Sequence, residues 1–302
     1  MSLNVPKQAT PSAPAPTTHR ARGFAASSPG RYDAALVVRG LLSYRRFIWQ
    51  SAVAELRHRY AGTGLGVVWN VLHPLALIAV YSLVFTALMR GRVPGDAGGR
   101  FGYVLYLCSG LLPWLAFAEC LTRGCNAFTE NAIYLRKLPI PEQVFVAKAA
   151  ASATLGLAIS FSLLLAISLA LGLRPRPQWL LLPLPLLSMQ VLGFGLGLLA
   201  GTLNVFFRDV SQLLGVALQV VLWTVPVVYV LDGLGLPHWF LALLKWHPLY
   251  PPLEALRVWF LGLPPTLAPW QMWAGMIAWP VAATAAAGAV FGKLRREIRD
   301  VL

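Results

Sequence analysis

Long apolar runs separated by short clusters of Lys, Arg and Pro organise this chain more plainly than any local motif. A hydrocarbon layer about 30 Å thick is crossed by roughly 20 residues of helix, and six segments reach that length: 67–89, 101–121, 144–171, 179–207, 212–231 and 269–291. Four of them contain no Asp, Glu, Lys or Arg, and the other two carry one each, Glu119 and Lys148. Both charges lie near span ends, where snorkelling to the interface is expected. The stretch 239–263 is apolar too, but it holds Lys245, Glu254 and Arg257 with Pro248, Pro251 and Pro252. Broken helix at membrane depth is tolerated only where protein or water surrounds it, which predicts a re-entrant or interfacial helical hairpin between spans five and six.

Before the first span the periodicity changes. Residues 33–60 read as a helix with Val37, Leu41, Tyr44, Ile48 and Leu56 on one face and Arg39, Ser43, Arg46, Gln50 and Arg57 on the other. Such a split, with Phe47 and Trp49 nearby, suits a helix lying in a headgroup layer; packing on a soluble partner is the alternative. Residues 1–32 are rich in Pro, Ala, Ser and Thr, too poor in apolar surface to fold, and read as a disordered cytosolic tail. The expected fold class is therefore all-α integral membrane, with an amphipathic interface helix at 33–60 and a six-span domain over 61–302.

Composition sharpens this picture. Hydrophobic residues make up 57% of the chain and charged residues 12%, about half the charge of an ordinary soluble domain. A net charge of +14 in a soluble chain would point to nucleic acid, but here the bases sit between apolar runs. With six spans, 17 Lys and Arg fall on the side shared by both termini and 7 on the other, so the positive-inside rule places both termini in the cytoplasm. Cys108, Cys120 and Cys125 lack metal-type spacing and read as unpaired. The sequence GAVFGKL at 288–294 falls one residue short between its glycines and lacks Ser or Thr after Lys293, so it is no phosphate loop.

Within the spans, Gly193, Gly197 and Gly201 repeat every fourth residue, a pattern that permits close helix contact. Pro74 and Pro226 are expected to bend spans one and five. Trp69, Tyr81, Phe85, Tyr103, Tyr106, Trp114, Trp223 and Tyr229 present rings suited to stacking on sugar C–H faces or to an interfacial belt. Deep acids of the kind that couple proton flow to transport are lacking in the spans.

The ordered landmarks resemble the permease subunits of type-2 ABC exporters that move polysaccharides or polyol phosphates. They are Arg57-x-Arg59-Tyr60, Leu65-Gly66, Trp69 and Pro74, then Gly110 and Trp114, then Asn131, Lys137, Pro139 and Pro141. Phe207-Arg208-Asp209, Pro226-Val-Val-Tyr229 and His247-Pro248 follow, the last standing where the family usually has Asn-Pro.

This resemblance implies a homodimer in the bacterial inner membrane, paired with two copies of a separate ATPase that binds ATP and magnesium, with no cofactor or metal on this chain. It implies export of a lipid-linked polysaccharide such as O-antigen, capsule or teichoic acid. Coupling to the ATPase would run through a helix at about 122–142, with Asn131, Arg136 and Lys137, and through Arg208 and Asp209, which could otherwise pair with each other. A cytoplasmic opening would be framed by Arg46, Arg57, Arg59 and Tyr60, and a substrate path lined by Trp69, Tyr81, Phe85, Tyr106, Trp114, Trp223 and Tyr229. The alternatives are a membrane-embedded enzyme of lipid-linked glycan assembly, with Asp232 and Glu254 as its nearest acids, a same-fold permease for drugs or small lipids, and a passive channel.

Overall fold

The computed structural model describes residues 34–59, 61–84, 101–137, 140–231, 235 and 237–301. The expected tail at 1–32, Asp33, Tyr60, Phe85 with the end of the first span, Leu138, Pro139 and Asp232 lie outside the described residues. Helices α1 (Ala34–Ser43) and α2 (Arg45–His58) come first. A short 3-10 turn then leads into α3 (Trp69–Leu83), which is followed by α4 (Gly102–Glu130), α5 (Ala132–Lys137) and α6 (Gln143–Ala170). A second 3-10 turn precedes α7 (Pro183–Phe206); α8 (Val210–Thr224), α9 (His238–Lys245), α10 (Tyr250–Leu261) and α11 (Pro269–Val301) complete the chain. Among the described residues, five helical segments are long and apolar enough to cross a membrane: Gly66–Leu83, Gly102–Glu130, Gln143–Ala170, Pro177–Phe206 and Pro269–Arg295.

Helix α4 forms the axis of the bundle, packing against α6 on one flank and α7 on another, while α7 also packs on α11. Lipid tails are as apolar as Leu, so helix association in a bilayer depends on close approach, and glycine supplies it here. A Cβ at Gly201 would stand 2.6 Å from the Gly124 carbonyl oxygen, and one at Gly124 would stand 2.9 Å from Gly197 Cα. The four-residue glycine repeat thus joins two helices of one chain. Around it lie two buried clusters, one including Tyr106, Trp114, Met189 and α10, the other Phe128, Leu135, Phe145 and Phe291. Cys108, Cys120 and Cys125 are free and buried on α4. The apolar face of α2 packs on α6, with Ala52 and Leu56 buried, while Phe47 and Trp49 remain outward.

The expected fifth span is interrupted. Instead of a bent helix over 212–231, α8 ends at Thr224 after 15 residues, because Pro226 has no N–H to give and drives Val225 into an extended conformation, φ −97° and ψ 138°. Pro183 and Pro185 do no comparable damage, since they occupy the first turn of α7, where a missing N–H costs nothing. Between α8 and α11 the difficult stretch folds as α9 and α10. Every residue of α10 except Val258 is buried, and Gly262, at φ 73°, ends the helix in the left-handed region glycine favours.

His247 supports the start of α10. Its Nδ1 accepts the Leu249 N–H at 3.2 Å, the bond an asparagine side chain makes two residues along in an Asx turn. Burial lowers the affinity of this ring for a proton below the ordinary histidine value. The unfolded chain therefore takes up that proton first, so the contribution to stability is whole above the ordinary histidine range and is lost as pH falls through the lower folded value. Between about pH 7.5 and 5, the wild-type thermal midpoint should fall further than that of His247→Asn. Equal falls would remove His247 as the cause.

Candidate functional site

Three regions combine exposed chemistry with a defined scaffold. The first is the connection between α4 and α6. The expected helix at 122–142 is shorter in the structure: residues 122–130 continue α4, and only α5 stands apart. The break comes at Asn131, whose backbone leaves the helical region and whose Nδ2 donates to the Ala127 carbonyl at 2.8 Å. Leu135 anchors α5 in the second core, leaving Ile133, Tyr134, Arg136 and Lys137 exposed. The start of α6 is fixed by Glu142, wholly buried, which accepts from Arg295 Nε on α11 at 2.7 Å. Arg208 and Asp209, between α7 and α8, are exposed, and no ion pair joins them.

The second region is a charged groove where α2 meets α4 and α6. Expected snorkelling by Glu119 and Lys148 is replaced by pairing. Glu55 on α2 accepts from Arg123 and from Ser152 Oγ at 3.1 Å, and Lys148 Nζ stands 3.5 Å from its second oxygen. Glu119 bridges Arg59 and Arg123, the latter at 3.1 Å. Each of these five charged side chains is between 23% and 31% exposed, so water screens the network only in part. An open cavity of about 460 Å³ is lined by Glu55, His58, Arg59, Glu119 and Arg123. A second, of about 150 Å³, shares Arg59 and Glu119 and runs between apolar walls from α3, α4 and α6, with Trp69, Asn70 and His73 among its lining. Arg46 and Arg57 lie outward on α2, beyond the network.

The third region is the broken backbone after α8. The aromatic residues expected to form one path are dispersed. Tyr106 and Trp114 are buried at 4% and 3% exposure, Trp114 against Phe117 and Tyr106 beneath the Arg257 guanidinium, so their faces are occupied by protein. Trp223 is exposed, whereas Trp69, Tyr81 and Tyr229 are half-buried. Of this set the structure brings together Tyr106 and Tyr229, through a hydrogen bond from the Tyr106 hydroxyl to the Tyr229 carbonyl at 3.1 Å. Glu254 is held inside, accepting from the Thr266 N–H at 2.6 Å and hydroxyl at 2.8 Å. Among the described residues no three His, Cys, Asp or Glu side chains gather where a metal could sit.

Glu55, Arg123 and Ser152 escaped the reading of the sequence. The available signal was a lone carboxylate, Glu55, between Ala52 and Leu56 on the apolar face of its helix. Arg257 and Glu254 were visible as misplaced charges, but not their partners.

Residues 46–261 match the family described as "ABC-2 type transporter". The chain is 24% identical over 196 residues to the O-antigen export system permease protein RfbA of Klebsiella pneumoniae, covering 65% of this chain and 72% of that one. It is 29% identical over 196 residues to the protein of the same name from Myxococcus xanthus, 65% and 73% of the respective chains. It is 22% identical over 204 residues to the polysialic acid transport protein KpsM of Escherichia coli, 67% and 76%.

Proposed function

The chain belongs to the ABC-2 type transporter family, and on that premise we propose that it is the membrane-spanning subunit of an ATP-driven exporter of polysaccharide. The observation that carries this reading is the shared similarity, across most of the length of each, to proteins named for O-antigen export and for polysialic acid transport. ATP hydrolysis falls to a separate subunit, and this chain converts the resulting movement into a path.

The finer parts of the reading follow from geometry. A second copy would cover α8, whose residues are all at least partly exposed and whose Leu213, Val216, Val220 and Trp223 are more than half exposed. α8 would then serve as a short fifth span, about 22 Å of helix, completed by the α9–α10 hairpin on the outer side. Both termini would face the cytoplasm, with α1 and α2 at the inner headgroup layer of a bacterial inner membrane. Arg46, Arg57 and Arg59 would draw an anionic, lipid-linked glycan toward the groove. Trp223 and Tyr229 suit a path wall best, since Tyr106 and Trp114 would need the core to open.

α5 is the candidate seat for the ATPase, with Arg208 and Asp209 as a second contact. A short helix fixed between α4 and α6 can pass a closing movement to both as a rigid body. The tagged chain, expressed with its cognate ATPase and purified in mild detergent, should bring down that ATPase stoichiometrically. Arg136→Glu with Lys137→Glu should abolish most of that recovery while leaving the elution profile of the permease unchanged. A well-folded permease that never recovers an ATPase would overturn the exporter reading.

A further inference from the structure

The backbone after α8 is irregular, yet its carbonyls are bonded. Six consecutive carbonyls each have a donor. Thr224 O accepts the Tyr229 hydroxyl at 3.2 Å and Val225 O the Val227 N–H at 2.6 Å. Pro226 O and Val227 O accept Arg257 Nη2 at 2.5 and 3.2 Å, Val228 O the Tyr103 hydroxyl at 2.6 Å, and Tyr229 O the Tyr106 hydroxyl at 3.1 Å. Four of these carbonyls are thus held by side chains of two other helices, α4 and α10. Non-helical backbone among apolar helices needs such partners, but neutral donors would serve stability equally well.

The donor at the break is instead a guanidinium only 3% exposed. Removing that charge from water is costly, and it is offset by the carbonyls and by the Tyr106 ring, 3.7 Å from its carbon. Glycine at 110 makes the room, since a Cβ there would stand 3.2 Å from both Arg257 Nη2 and the Val227 oxygen. A cavity of about 40 Å³ beside Arg257, lined also by Tyr106, Glu254 and Thr266, shows that bulk packing does not fill this corner.

We infer that Arg257 is a positioning residue for transport: it locks residues 226–229 between α4 and α10, so that the end of α8, with Trp223 and Tyr229, moves together with the α9–α10 hairpin. The guanidinium holds successive carbonyls with one nitrogen while its carbon sits over the Tyr106 ring, a geometry an ammonium reproduces poorly. Without this clamp the hairpin slides independently of α8, and movement begun at the ATPase does not reach the outer end of the path. The inference rests on the exporter reading for its consequence, but the clamp itself can be observed without transport.

The test uses the whole permease with its ATPase, reconstituted and in cells, carrying Arg257→Met, Arg257→Lys or Tyr103→Phe. Amide exchange over 227–231 should accelerate about tenfold or more in Arg257→Met, as expected for loss of a charged hydrogen bond, with α4 and α7 unchanged. ATPase recovery should persist while polysaccharide export falls about tenfold, with Arg257→Lys intermediate in both exchange and export. Tyr103→Phe keeps every charge and removes the hydroxyl that bonds the Val228 carbonyl, so it should give the same pattern more weakly and decides the matter if Arg257→Met fails to fold. Faster exchange throughout the bundle, or unchanged export with a loosened strap, would overturn the positioning role. A wild-type complex that neither binds ATPase nor exports would instead overturn the exporter reading, and the exchange data would still judge the clamp.

Discussion

Valine at position 201 should prise α4 from α7 and deprive the cell of most of the folded protein. The Cβ meets the Gly124 carbonyl oxygen at 2.6 Å, with the Cys125 carbonyl at 3.4 Å. Both obstacles are backbone, so no side chain can rotate aside and the helices themselves must separate. Overpacking of this kind costs about 1–3 kcal/mol even for a single methyl in a core that can adjust, and valine adds two more carbons beside a rigid wall. The expected result is a loss of monodisperse protein on size-exclusion chromatography and a thermal midpoint lowered by many degrees. Gly215→Ala is the control, because nothing lies within 4 Å of a Cβ there and alanine favours the helix. Equal behaviour of the two variants would show that the glycine contact does not hold the bundle together.

Neutralising Glu55 has the second largest expected effect. Glu55→Gln leaves Lys148 without the carboxylate it pairs with, and Arg123 with Glu119 and Ser152 as its remaining bonded partners. Removing one partner of a buried pair costs about 3–5 kcal/mol; with each side chain keeping about a quarter of its surface exposed, a loss of about 2–3 kcal/mol is the appropriate scale. Adding Lys148→Met to Glu55→Gln should cost less than the two changes separately, because the stranded cation is then gone. Strictly additive losses in thermal midpoint would show that α2 is held by its apolar face alone.

The helical class and the positions of most long apolar helices are legible in the sequence because lipid demands long uncharged runs, and that demand leaves a simple record. The glycine repeat at 193, 197 and 201 was readable for the same reason: its spacing implies a flat helix face whatever lies opposite. The end of α8 at Thr224 was not foreseen, because hydropathy continues unbroken through Val225 and the chain's response to Pro226 depends on donors supplied by Tyr103, Tyr106 and Arg257 more than 20 residues away. The charged groove was half visible. Glu119 and Lys148 stood out against apolar neighbours, but their partners come from α2 and from one turn along α4, and pairing across helices has no period in sequence. Trp114 shows the converse, an aromatic in the right span whose ring faces are occupied by its own bundle.

The ion network also sets a timetable for biosynthesis. Glu55 emerges from the ribosome before any of its donors: Arg123 follows 68 residues later and Ser152 97 residues later. Until the segment that becomes α6 has been made, a nascent chain carries a carboxylate on the apolar side of α2 with its full set of partners still missing, and α2 lacks the helix on which it docks. Docking of the amino-terminal helices is therefore a late event, gated by synthesis of the third span. A chain stalled or cut before that point would lack Lys148 and Ser152, two of the partners that hold Glu55 against the bundle.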